Sequence, residues 1–323
     1  MSDVQGQGLV GLTEIEAAAR RLAGVAVRTP LHPADAVSEA VGAEVRLKCE
    51  NLQRAGAFKI RGAYNFVSQL SDEQVGAGII TYSSGNHAQA VALTGKLRGL
   101  RAVVVMPTTA PKVKVEGTRR LGGEVVFEGT TSVERKRRAE AIAHEEGLVM
   151  VPPFDHRHII AGQGTVGLEI ARDWRDVDLV LAPIGGGGLA SGIAAAVKRM
   201  LPHARVIGVE PEGSASMRAA LDHGAPVLLD RTESIADGLL PVITGDLTFE
   251  HGKNLMDDVV TVSDDAIREA AALLMLRQKL VVEFSGAATT AALLEGKVDA
   301  KGARVAAVIS GGNMDPSLFA TLS

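Results

Sequence analysis

The chain has 323 residues, with 34 basic and 38 acidic side chains and a formal charge of −4. That is length for one large domain or two ordinary ones, and a balance that leaves no electrostatic footprint for nucleic acid. The single cysteine, Cys49, excludes an internal disulfide and fits a reducing compartment, so a cytoplasmic location is expected.

In chain order, the opening MSDVQGQG lacks a basic region followed by an apolar run, and no secretory signal is expected. Thr13 and Glu16 have capping-box spacing for a first helix carrying Ile15, Ala19 and Leu22. Val45, Leu47 and Cys49 alternate with Glu44, Arg46 and Lys48, as in a half-buried strand. Strands are predicted at 45–49, 78–82, 102–106, 124–127, 179–183, 206–210, 259–262 and 305–309. Most precede ten or more residues of helical periodicity. This is the pattern of an α/β protein with largely parallel sheets. The longest uncharged stretch, from Leu179 to Val197, is interrupted by Pro183 and five glycines. It reads as strand, loop and helix rather than as a membrane span. Residues 69–155 hold three strand–helix units that could close as a small sheet, leaving 1–68 and 156–323 to form a larger one.

Open α/β sheets bind ligands beyond the carboxyl ends of their strands, and three loops there are chemically loaded. Gly185, Gly186, Gly187 and Gly188 join a strand to a helix and offer N–H groups at a positive helix end, suited to a single phosphate. No Lys-Ser/Thr follows, and the G-x-G-x-x-G spacing is not met, so neither nucleotide fingerprint applies. Ser83, Ser84, Asn86 and His87 stand between a strand and a helix and suit a carboxylate, or Ser84 simply caps the helix. Lys59, between apolar neighbours, is either a snorkelling surface lysine or a desolvated nucleophile.

In their order, these motifs resemble the threonine/serine dehydratase and serine racemase family of fold type II pyridoxal-phosphate enzymes. The resemblance runs from Val27-Arg28-Thr29-Pro30-Leu31 through Phe58-Lys59-Ile60-Arg61-Gly62-Ala63 and Ser84-Gly85-Asn86-His87-Ala88-Gln89. It continues through Ala161-Gly162-Gln163-Gly164-Thr165 and the glycine run to Ala236-Asp237-Gly238 and Ser310-Gly311-Gly312-Asn313. It implies a tryptophan-synthase-β-like fold, two open α/β domains with pyridoxal phosphate in the cleft between them. Residues 1–68 and 156–323 would form the large cofactor domain, and 69–155 a small mobile substrate domain. By the same resemblance Lys59 is the Schiff-base lysine and general base, with Phe58 beside the cofactor ring. Asn86 bonds the ring hydroxyl, the four glycines hold the phosphate, and Gly238 and Glu283 complete the pocket. Ser310 faces the pyridine nitrogen. A neutral serine there makes the ring a weaker electron sink, which favours prompt loss of a β-leaving group.

The implied reaction is loss of water from a small hydroxy amino acid, giving a 2-oxo acid and ammonia. Ser83, Ser84, Asn86 and His87 would receive the substrate carboxylate. Ser84 stands where serine racemases place the acid of the opposite face, so racemisation is an alternative. Pro152-Pro153-Phe154-Asp155 is similar to the bacterial dehydratases. Arg135 would approach a second substrate carboxylate, as for threo-3-hydroxyaspartate, or else belong to the solvated face of a charged helix. The family's Mg²⁺ or Ca²⁺ site is matched by Glu210 and Ser214, but Ser216 replaces its Asp, which weakens a hard-cation site. A homodimer or homotetramer is implied, and feedback inhibition through a C-terminal regulatory domain is not expected. Cysteine synthase relatives set their lysine differently, and a non-enzymatic binding protein would be expected to lack the lysine or the glycine loop.

Overall fold

The computed structural model describes residues 8–322; the stretch read above for a secretory signal lies outside them except for Gly8. Among the described residues ten strands form two sheets. They are β1 (Leu31–Pro33), β2 (Glu44–Cys49), β3 (Ile79–Tyr82), β4 (Ala102–Met106), β5 (Gly123–Phe127), β6 (Val149–Met150), β7 (Leu179–Pro183), β8 (Arg205–Pro211), β9 (Asp258–Val262) and β10 (Arg304–Ile309). The larger sheet has the order β1-β2-β10-β7-β8-β9 and the smaller β5-β4-β3-β6. Every pairing is parallel except that of β1 with β2 at the edge.

Parallel strands need crossovers, and helices supply them on both faces. The first eight in chain order are α1 (Leu12–Arg21), α2 (Asp35–Val41), α3 (Lys59–Val67), α4 (Asn86–Arg98), α5 (Lys112–Arg120), α6 (Ser132–Glu146), α7 (Arg157–Asp173) and α8 (Gly188–Met200). With both faces covered, a central strand is apolar throughout: all five residues of β4 and of β7 are buried. At about 1.5–3 kcal/mol per buried large aliphatic side chain, these strands hold the fold.

All eight predicted strands are present within a residue or so, while β1 and the two-residue β6 were not predicted. Two local readings are corrected. Helix α1 begins at Leu12 after Gly11, and Glu14 rather than Glu16 closes its first turn, its Oε2 accepting from the Gly11 N–H at 2.8 Å. The alternation along β2 fails at Lys48, which is fully buried. Its Nζ donates to Thr29 O (2.7 Å) and Glu169 Oε2 (2.5 Å), so pairing rather than solvent satisfies the charge.

Candidate active site

The carboxyl ends of β3, β7 and β10 converge on one cavity of about 570 Å³ that draws its walls from both sheets. Among its lining residues are Phe58, Lys59, Ser83, Ser84, Asn86, His87, Arg135, Gly185, Gly186, Gly187, Gly188, Gly238, Glu283 and Ser310. Every predicted site residue except Glu210 and Ser214 therefore stands at a single place.

Lys59 is the first residue of α3, and its Nζ donates to Pro153 O at 2.9 Å. Burial lowers its pKa to about 8, because a charged ammonium is poorly solvated there. The snorkelling alternative is thereby replaced by a desolvated amine. Nζ also stands 5.2 Å from the Phe58 ring centroid.

The glycine run turns into α8, whose N-cap, Gly187, has φ +92°, a conformation that favours glycine. No side chain caps α8 there, so its opening N–H groups stand at the cavity wall as an anion site. The run is required for a second reason: a Cβ at Gly186 would meet Phe154 Cδ1 at 2.2 Å. Phe154 thus lies on the loop and lines the cavity, a contact that the Pro152–Asp155 motif did not announce.

At α4 the structure removes one alternative, since its N-cap is Gly85 and no side chain caps it. The Ser84 hydroxyl has no hydrogen-bond partner among the described residues. Ser83 Oγ accepts from the Gly85 N–H at 3.3 Å. His87 Nε2 donates to Val151 O (3.1 Å), and burial, then Lys59, lowers its pKa to about 3. A neutral ring so oriented is no cation for a carboxylate; only the backbone N–H of this residue is suited to one.

Asn86 Nδ2 donates to Glu283 Oε1 at 2.6 Å, and burial, with Asp237 adding to it, raises the Glu283 pKa to about 7. Gly238 N–H donates to Ser285 Oγ at 2.8 Å, and the buried Ser310 hydroxyl approaches Ser285 O at 3.5 Å. Arg135 departs from the solvated-face reading: it turns into the cavity while Arg137 and Arg138 stay exposed. Its Nη1 donates to Thr130 O at 3.2 Å, its buried Nε has no partner, and burial lowers its pKa.

Sequence reasoning missed several lining residues. Lys114 on α5 pairs with Asp237 from the other side of the cleft, and Tyr82, Val133, Leu228, Ile243 and Asn313 line the remainder. Of these, Asp237 and Asn313 lay in motifs already noted. Glu210 and Ser214 stand elsewhere. The Glu210 carboxylate accepts from the N–H groups of Met217 (2.8 Å) and Arg218 (2.9 Å), while burial raises its pKa to about 7. It thus caps a helix with Ser216 beside it, whereas the buried Ser214 hydroxyl has no partner among the described residues.

A desolvated lysine opposite an uncapped helix N-terminus fits a cofactor with a carbonyl at one end and a phosphate at the other. Comparison with known proteins agrees. Residues 22–311 match the family of pyridoxal-phosphate dependent enzymes. The chain is 44% identical to an L-threonine ammonia-lyase of Thermotoga maritima over 96% of its own length and 77% of that protein's. It is 39% identical to a serine racemase of Schizosaccharomyces pombe over 95% of each. The structure of maize serine racemase superposes with a TM-score of 0.93 at 38% identity, covering 97% of both chains. The chain belongs to the family of pyridoxal-phosphate dependent enzymes, alongside threonine dehydratases and serine racemases.

Proposed function

We propose that the protein is a threonine/serine ammonia-lyase that removes water from a hydroxy amino acid and releases a 2-oxo acid and ammonia. The observation that carries this is the Lys59 amine, held in the cavity with its pKa lowered to about 8. Lys59 and Phe58, the N–H groups of Gly185, Gly186, Gly187 and Gly188, Asn86, Gly238, Glu283 and Ser310 would hold the cofactor. When bound, pyridoxal phosphate supplies an aldehyde for the substrate amine and a conjugated ring that spreads the α-carbon electron pair. Lys59 takes the α-proton as general base, its amine being partly unprotonated near neutrality. The hydroxyls of Ser83 and Ser84 and the N–H groups opening α4 receive the substrate carboxylate. Ser310 offers a neutral hydroxyl rather than a carboxylate.

Product analysis of the purified protein with L-threonine, L-serine and threo-3-hydroxyaspartate tests the reading. It expects 2-oxobutanoate from L-threonine, and no 2-oxo acid from any of the three would overturn it. Two alternatives each have an observation in their favour. The unpartnered Ser84 hydroxyl keeps a proton donor available for racemisation, and Ser84→Ala is expected to abolish D-serine formation while lowering elimination far less, through weaker carboxylate binding. The unpartnered Arg135 Nε favours a substrate with a second carboxylate, and Arg135→Ala would then raise KM for 3-hydroxyaspartate alone.

Residues 69–155 act as a small substrate domain against 1–68 and 156–323, and the Lys114–Asp237 pair closes the cleft between them. The buried Ser214 hydroxyl, which has no partner among the described residues, favours a Mg²⁺ or Ca²⁺ site with Glu210, and activity with and without a chelator would test it. No helix among the described residues is long and apolar enough to cross a membrane. Cytoplasmic residence and a homodimer or homotetramer complete the reading, the latter checked by light scattering.

A further inference from the structure

Asn86 carries a side-chain amide whose two ends look alike in shape and differ in chemistry, so something must decide which end faces the cofactor. The decision can be traced along hydrogen bonds. Ala55 O is a backbone carbonyl and can only accept. Asn313 Nδ2 donates to it at 2.7 Å, which fixes the Asn313 amide. The second hydrogen of that nitrogen goes to Asn86 Oδ1 at 2.8 Å, which fixes the Asn86 amide. Asn86 Nδ2 therefore faces Glu283 Oε1 at 2.6 Å and keeps one hydrogen for the cavity.

The same side chain secures the loop ahead of Lys59. Ala55 is left-handed, with φ 59° and ψ 17°, a strained backbone for a residue with a Cβ. Asn313 holds its carbonyl and covers Gly56, where a Cβ would meet Asn313 Oδ1 at 2.3 Å. The Gly312 N–H donates to Gly56 O at 2.9 Å, and the Phe58 N–H to Ser310 O at 3.1 Å. One amide thus touches the segment that leads into Lys59, the residue that opens α4, and the loop after β10.

We propose that Asn313 is a positioning residue: it sets the Asn86 amide, and through it the donor offered to the cofactor, in register with the Lys59 loop. The inference rests on the reading that pyridoxal phosphate binds in this cavity. It acts through Asn86 and not through the strain at Ala55.

Cofactor affinity, read by absorbance titration of the cofactor-free protein, tests this with Asn313→Ala, Asn86→Ala, their combination, and Asn313→Ala with Ala55→Gly. Asn313→Ala is expected to weaken cofactor binding about tenfold, as for the loss of an ordinary buried hydrogen bond. It should weaken binding no further once Asn86 is Ala, and Ala55→Gly should not restore it. Losses that multiply in the double variant, rescue by Ala55→Gly, or an affinity within twofold of the parent would each overturn the proposal. Should Asn313→Ala fail to fold, Asn313→Asp, which keeps the shape but removes both donors, is held to the same outcomes. Failure of the parent protein to bind cofactor is a separate result: it would overturn the underlying reading and the proposal with it. Thermal denaturation of the same four cofactor-free proteins would still show whether the two amides are coupled.

Discussion

Lys59 and Arg61 stand two residues apart on α3, the first half-buried at the cavity wall and the second fully buried, and their surroundings are opposite in kind. Arg61 spends its guanidinium on Glu50 (2.8 Å from Nε and from Nη2), Glu169 (2.7 and 3.0 Å), Thr165 (3.0 Å) and Val27 O (3.1 Å). Lys48 completes the cluster through Glu169, and Thr29 Oγ1 donates to Glu50 at 2.5 Å. Burial works against the Glu50 charge, but Arg61 outweighs it and holds the carboxyl below its usual range. Around Lys59 no carboxylate among the described residues compensates, and the amine is driven toward its neutral form. Paired charges make a foundation, and the unpaired amine built on it is free for chemistry.

The comparison can be broken at either end. Lys59→Ala should lower 2-oxo acid production by at least about 10³-fold, the range for loss of a positioned acid–base group, while leaving the melting temperature near that of the parent. Arg61→Met should do the reverse in kind, costing about 3–5 kcal/mol of stability because Glu50 is left buried and uncompensated; denaturant unfolding measures it. A large stability loss in the first variant, or none in the second, would show that the two regions are not divided as described.

Most of the architecture was legible. The eight predicted strands are apolar runs whose pattern is local. Strand β6 is only two residues long, and β1 contains Pro33 and follows Pro30, so neither carries a readable period. The candidate site was legible by motif order, but its physics was not. Lys48 read as an outward residue because Glu169, its partner, lies 121 positions away. Arg135 shares a charged run with residues that remain exposed, and only the fold turns it inward. His87 stands in the helix-start motif, and only the fold shows that its ring is spent on Val151 O.

Two smaller effects sharpen the comparison. Capture of the cofactor by cofactor-free protein requires the unprotonated Lys59 amine. Its rate should rise about tenfold between pH 7 and pH 9 and level off above about 8, rather than climbing toward 10.5, as stopped-flow absorbance would show. Glu283, with its folded-state pKa raised to about 7, binds more protons folded than unfolded between its ordinary value and 7. Its contribution to stability is present below pH 4.5 and lost as pH rises through 7. Glu283→Gln, which keeps an acceptor for Asn86, should therefore raise the melting temperature of the cofactor-free protein slightly at pH 8 and less at pH 5.

The most direct measurement of the central claim is borohydride reduction of the pyridoxal-phosphate-loaded protein, followed by peptide mapping by mass spectrometry. A pyridoxyl-phosphate adduct on Lys59 is expected, and prior treatment with excess L-threonine should diminish it. An adduct on Lys48 or Lys114 in its place, or no stable adduct at all, would contradict the assignment of Lys59.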